Sequence, residues 1–156
     1  MSETELHVGK KIVPVVDEKG LLELLNGDLS REYQAIITYI QYAASVTGPY
    51  RQELKQFFNA EIPDETMHAQ YLADKIAALG GVPSVTSAPV PQETDARKML
   101  ENIVEAERLA RNNYSERAAQ AEHLGEIGLA NHLEDMADDE SGHLDETLKI
   151  LQGWPK

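Results

Sequence analysis

Asp64-Glu-Thr-Met-His68 and Asp139-Glu-Ser-Gly-His143 are two copies of one polar pattern, Asp-Glu-x-x-His, set 75 residues apart. The same offset carries Glu32 onto Glu107 and Tyr39 onto Tyr114. Each half of the chain therefore reads Glu, then Tyr seven residues later, then Glu-x-x-His beginning 33 residues after the first Glu. A glutamate and a histidine three apart share one side of a helix. Here both fall on the apolar stripe rather than opposite it, so four carboxylates and two imidazoles are expected to face one interior. An unpaired buried ion costs several kcal/mol even after relaxation, and no Lys or Arg shares these stripes at the same level. Two divalent cations balance four carboxylates, and two neutral imidazoles add one nitrogen each. Oxygen and imidazole donors suit iron or manganese, and argue against copper selectivity or structural zinc.

Four helices must hold these groups. Apolar residues recur at three or four through Leu25, Leu29, Ile36 and Ala43, then Leu54, Phe58, Leu72 and Ile76, then Leu100, Ile103 and Ala110, then Leu129, Leu133, Met136 and Ile150. This predicts helices over about 19–47, 50–79, 93–121 and 126–152. Breaks at Thr47–Pro49 and His123–Gly125 are short, which makes helices 1/2 and 3/4 antiparallel hairpins. Gly81–Gln92 has three prolines and no helical period. Twelve extended residues reach about 40 Å, and a helix of about 28 residues is about 42 Å long. The segment can thus climb the whole bundle and set helix 3 parallel to helix 2. The fold class expected is all-α: a four-helix bundle with a long crossover between helices 2 and 3. Residues 1–18 read as an N-terminal tail whose apolar KIVPVV run packs on a neighbouring surface, 19–152 as the bundle, and 153–156 as a C-terminal end. Pro63, inside helix 2, is expected to kink it.

Two helices giving one Glu each and two giving Glu-x-x-His is the di-iron or di-manganese carboxylate arrangement. The spacing assigns Glu65 and Glu140 as bridges, Glu32 with His68 to one metal, and Glu107 with His143 to the other. Under-coordinated metals leave room for dioxygen or peroxide.

On these residues the chain resembles the ferritin-like superfamily, most closely bacterioferritin, over about residues 20–152. The match implies Glu32, Glu65, His68, Glu107, Glu140 and His143 as ligands of two iron ions per subunit, with Tyr39 near the metals and Tyr114 as its internal echo. It implies ferroxidase chemistry, in which Fe(II) is oxidised by O2 or H2O2, with iron storage and protection from oxidative stress as the wider role. Thr66 stands where bacterioferritins carry a haem-ligating methionine, so no haem is expected. The chain ends 13 residues after His143, which leaves no fifth helix and points to a Dps-like cage: a homo-oligomer, with twelve subunits favoured over twenty-four. The rival readings are di-iron or di-manganese peroxide removal, of the rubrerythrin or manganese-catalase kind, and a non-catalytic structural bundle. The chain has no cysteine, which removes the thiolate-bound iron usual in rubrerythrins.

Composition limits the partners. Twenty-seven acidic residues against 14 basic ones give a net charge of −13, which disfavours nucleic acid. No signal peptide or membrane span is evident, and the location expected is cytoplasmic. Glu61, one turn before Glu65 and without a partner in the repeat, is expected to be structural or solvated. Asp64 and Asp139 suit either ligand orientation or the surface. His7, His123 and His132 are expected to be structural or exposed.

Overall fold

The computed structural model describes residues 4–156. A short antiparallel hairpin, β1 (Glu5–Val8) and β2 (Lys11–Pro14), precedes four helices: α1 (Glu18–Ser45), α2 (Arg51–Ala78), α3 (Ala96–His123) and α4 (Ile127–Gln152). Two helices begin on aspartate caps. Asp17 accepts from the Gly20 N–H at 2.7 Å and Asp95 from the Lys98 N–H at 2.9 Å, each satisfying a donor the helix start leaves free. Gly80 and Gly125 follow α2 and α3 in the left-handed region, at φ 85° and 81°, which glycine enters without a Cβ clash. Pro63 does not interrupt α2, which runs on through it.

The crossover climbs α1, as its length predicts. Asn26 donates to the Val82 carbonyl and accepts from the Ser84 N–H. One turn further on, the Ser30 carbonyl takes the Ala88 N–H. Gln34 reaches the Pro89 carbonyl, and the Tyr42 hydroxyl donates to the Pro91 carbonyl at 2.9 Å. This ladder delivers the chain to the far end of the bundle, where α3 starts, and supplies partners for a backbone that has no regular structure.

Two apolar clusters fill the bundle, one at each end. Leu21, Leu25, Leu29, Leu72, Ile76 and Leu133 belong to the first; Tyr42, Leu54, Phe58, Met99, Leu100 and Ile103 belong to the second. The glutamates and histidines of the repeat lie between them.

The N-terminal segment packs on a neighbouring surface, as its apolar run suggests, but does so as a hairpin. Residues 5–14 pair as a hairpin on α3: Val13 is buried, Gln120 donates to the Pro14 carbonyl at 3.0 Å, and Lys11 reaches Asn112. The same Gln120 accepts from Arg117, whose Nε lies 2.8 Å from Asp28 of α1. Both members of this ion pair are buried. Burial pushes the Asp28 carboxyl up, and the Arg117 charge opposes that. Among the described residues no helix is long and apolar enough to cross a membrane.

Breaking a buried pair strands one charge, which costs about 3–5 kcal/mol, whereas replacing both members with apolar groups is often neutral. Arg117→Met should therefore lower the stability of the metal-free protein by about that amount. Adding Asp28→Leu should restore most of it. Urea denaturation of the two variants checks both.

Candidate metal centre

Midway along the bundle, α1 contributes Glu32, α2 Glu65 and His68, α3 Glu107, and α4 Glu140 and His143. Helical spacing of three puts each Glu-x-x-His pair on one inward face. All four glutamates and His68 are 1–3 % exposed. Three groups of ligand atoms form, each gathered within 4.8 Å: Glu32, Glu65, His68 and Glu140; then Glu65, Glu107, Glu140 and His143; and, less buried, Glu61, Asp64 and His143. Glu65 and Glu140 are common to the first two. The structure thus brings together all six residues named from the repeat, grouped as the spacing suggests.

These groups hold unspent donors. Glu32 Oε2, Glu65 Oε1, His68 Nδ1, Glu107 Oε2, Glu140 Oε1 and His143 Nδ1 are buried without a hydrogen-bond partner. A buried polar atom left unpaired costs about 1–3 kcal/mol, and here six point into one space. Carboxylate oxygen and imidazole nitrogen in that number fit two hard or borderline divalent ions such as Fe(II) or Mn(II).

The surrounding contacts run crosswise between the halves. Tyr39 donates to Glu107 at 2.5 Å, and Tyr114 donates to Glu32. His68 Nε2 lies 3.0 Å from Asp139, and His143 Nε2 lies 3.3 Å from Asp64. Each Asp of one Asp-Glu-x-x-His motif therefore holds the imidazole of the other. A carboxylate on Nε2 fixes the ring and leaves Nδ1 as the donor facing the site. Asp64 and Asp139 thus take the orienting position, while about half of each side chain remains open to solvent.

Of the two places expected for Glu61, structural or solvated, the structure excludes the solvated one. Its side chain is only 13 % exposed, and its Oε2 lies 2.9 Å from His143 Nε2. It is neither solvated nor paired with a Lys or Arg among the described residues. The clue available was its place one turn before Glu65 on the same face. Asp28 and Arg117 were not foreseen, because nothing in the repeat pairs them. His132 instead stacks on Tyr71, with ring centroids 3.5 Å apart, His7 lies in β1, and His123 closes α3.

In the absence of metal, protons do the balancing. Burial pushes Glu32 and Glu140 well above the usual carboxylate range, with the charge of Glu65 adding to it. Burial would raise Glu65 too, but its contacts with His143 and His68 hold it down to about 2. Burial would lower His68, yet Glu65, Glu32 and Asp139 raise it to about 9. His143 is likewise raised, by Glu107, Glu61 and Glu65 against its burial. Burial and the charge of Glu107 push the Tyr39 phenol well above its ordinary value.

The signs agree for the raised groups. Raised carboxyls stabilise the fold less as pH climbs past 4.5, and the raised His68 contributes fully below 6.5 and loses that contribution as pH passes 9. Metal-free protein should therefore melt at a lower temperature at pH 9 than at pH 6.5. Divalent metal, by replacing those protons, should flatten the difference and release protons on binding. Calorimetric melting with and without metal checks this.

Comparison with known proteins agrees with this fold. Residues 22–156 match the ferritin-like domain. A nutrient stress-induced DNA-binding protein of Nostoc sp. is 33% identical over 113 residues, which are 64% of this chain and 60% of that protein. The match thus spans less than two thirds of that relative's length. A bacterioferritin of Streptomyces coelicolor is 30% identical over 80% of this chain and 75% of its own. Among solved structures, a ferritin-like di-iron carboxylate protein from Bacillus anthracis is 46% identical, with a TM-score of 0.84 over 86% of this chain and 96% of that one. A bacterioferritin-related protein of Bacteroides fragilis, described as a dodecameric thioferritin, is 27% identical, with a TM-score of 0.72 over 88% and 89%. With the family matched over nearly the whole helical bundle and the internal repeat meeting at its centre, this chain belongs to the ferritin-like proteins.

Proposed function

We propose that the chain is a ferroxidase-type iron-handling protein that takes up two Fe(II) per subunit and oxidises them with O2 or H2O2. The observation that carries this reading is the double set of orphaned, buried ligand atoms sharing Glu65 and Glu140. Bound iron supplies the electrons for reduction of the oxidant. The remaining work belongs to the side chains. Glu65 and Glu140 serve both positions, while Glu32 with His68 and Glu107 with His143 serve one each. Asp139 and Asp64 hold the imidazoles from behind. Tyr39 and Tyr114 each occupy one oxygen of a terminal glutamate, Glu107 and Glu32, and so orient the other. Apolar clusters above and below the ligands exclude bulk water and strengthen attraction between carboxylate and cation. A cavity of about 270 Å³ between α1 and α3, lined by Ala35, Thr38, Tyr39, Ile103, Ala106 and Glu107 among others, supplies an approach for a small uncharged oxidant.

The subunits assemble as a homo-oligomer, with twelve favoured by the dodecameric Bacteroides relative. Such a shell adds storage to oxidation. A net charge of −13 argues against nucleic acid as a partner for this chain.

Anaerobic titration with Fe(II) should saturate at two ions per chain, and admitting O2 or H2O2 should then produce Fe(III) rapidly. Glu65→Ala and Glu140→Ala, each removing a group common to both positions, should abolish uptake of the pair. Unchanged binding in these variants would sink the reading. Selective loading with manganese and steady H2O2 turnover would favour peroxide removal instead. Light scattering of the native assembly should give a mass near twelve chains, whereas a dimer would remove the storage role.

A further inference from the structure

The repeat places a counterpart 75 residues away for nearly every polar group of the site. Glu32 matches Glu107, Tyr39 matches Tyr114, and Asp64, Glu65 and His68 match Asp139, Glu140 and His143. Even a minor contact is duplicated: Thr66 donates to the Ile62 carbonyl, and its counterpart Ser141 donates to the Ala137 carbonyl. Glu61 breaks the pattern. Its counterpart is Met136, which is apolar and 1 % exposed.

That single difference falls on one histidine. His68 Nε2 faces one carboxylate, Asp139 at 3.0 Å. His143 Nε2 faces two, Glu61 at 2.9 Å and Asp64 at 3.3 Å. One N–H satisfies one strong acceptor, so the second carboxylate remains as uncompensated negative charge beside the ring. Glu61 Oε2 is itself buried without a hydrogen-bond partner. Extra acceptor strength behind Nε2 makes Nδ1 a better donor to a cation. The added charge also attracts a cation to that half of the site, through surroundings that screen it weakly. Both effects act in the same direction.

We propose that Glu61 is a positioning residue that makes the two metal positions unequal, so that the position of Glu107 and His143 fills first. This rests on the di-metal reading above and deepens it: a pseudo-symmetric site binds its two Fe(II) in a set order. Glu61 acts through His143 rather than as a ligand of either ion.

The test loads one ⁵⁷Fe(II) per chain without oxygen. Mössbauer spectra of the wild type should show one doublet carrying most of the iron, with a second doublet growing only on further addition. Glu61→Met, which installs the residue of the other half, and Glu61→Gln, which keeps the shape and removes the charge, should both weaken the first site about tenfold. The second site should be unchanged, and the first iron should spread over both doublets. A purely structural role would alter both sites or neither. Equal sites in the wild type would overturn the proposal without any variant having to fold. So would an unaltered first affinity in Glu61→Gln, or a third ion per chain that is lost in that variant, which would make Glu61 a ligand. A wild type that takes up no iron would sink the di-metal reading, and this one with it; equal sites sink this one alone.

Discussion

Four carboxylates crowd the middle of this bundle, and nothing among the described residues neutralises them fully. The only buried arginine in contact with a carboxylate among the described residues, Arg117, is committed to Asp28 one turn away. The site is left with its own two imidazoles. Cations must come from outside: protons in the metal-free protein and, on the proposed function, divalent metal in the loaded one. Burial and neighbouring carboxylates push Glu32 and Glu140 up, and the surrounding carboxylates raise His68 and His143 against their burial, as that deficit requires. Such an arrangement weakens the apoprotein and creates affinity in the same step, because the free energy spent in gathering like charges is recovered when a cation enters.

The rest of the fold keeps those charges from separating. Tyr39 ties α1 to the glutamate of α3, and Tyr114 ties α3 back to the glutamate of α1. Asp139 and Asp64 link α4 and α2 through the opposite histidines. Every one of these bonds joins one half of the chain to the other. The halves are therefore held together by hydrogen bonds to the candidate ligands themselves, with an apolar cluster closing each end. The crossover laddered along α1 makes this possible, since it sets α3 antiparallel to α1 and so brings the second Glu level with the first.

Much of this was legible in the amino-acid sequence. Period and breaks announced four helices, and the length of Gly81–Gln92 implied the climb that Asn26, Ser30, Gln34 and Tyr42 now anchor. The six candidate ligands could be named because helical spacing is rigid: three residues along a helix is always the same face. The hairpin at 5–14 could not be foreseen, because two four-residue strands carry little periodic signal and their stability comes from Val13 and Pro14 resting on α3.

What the sequence determined by itself is local and repetitive: which faces are apolar, which carry Glu and His, and that the pattern occurs twice. Those properties follow from fixed helical geometry and the cost of burying charge. Tertiary structure alone decided who meets whom across the bundle. It joined Asp64 to His143 rather than to His68 four residues away, paired Asp28 with Arg117 across 89 residues, and set Glu61, expected to be structural or solvated, as a second carboxylate beside His143. Such contacts depend on how far and at what angle four helices pack, and no spacing within a single helix encodes that.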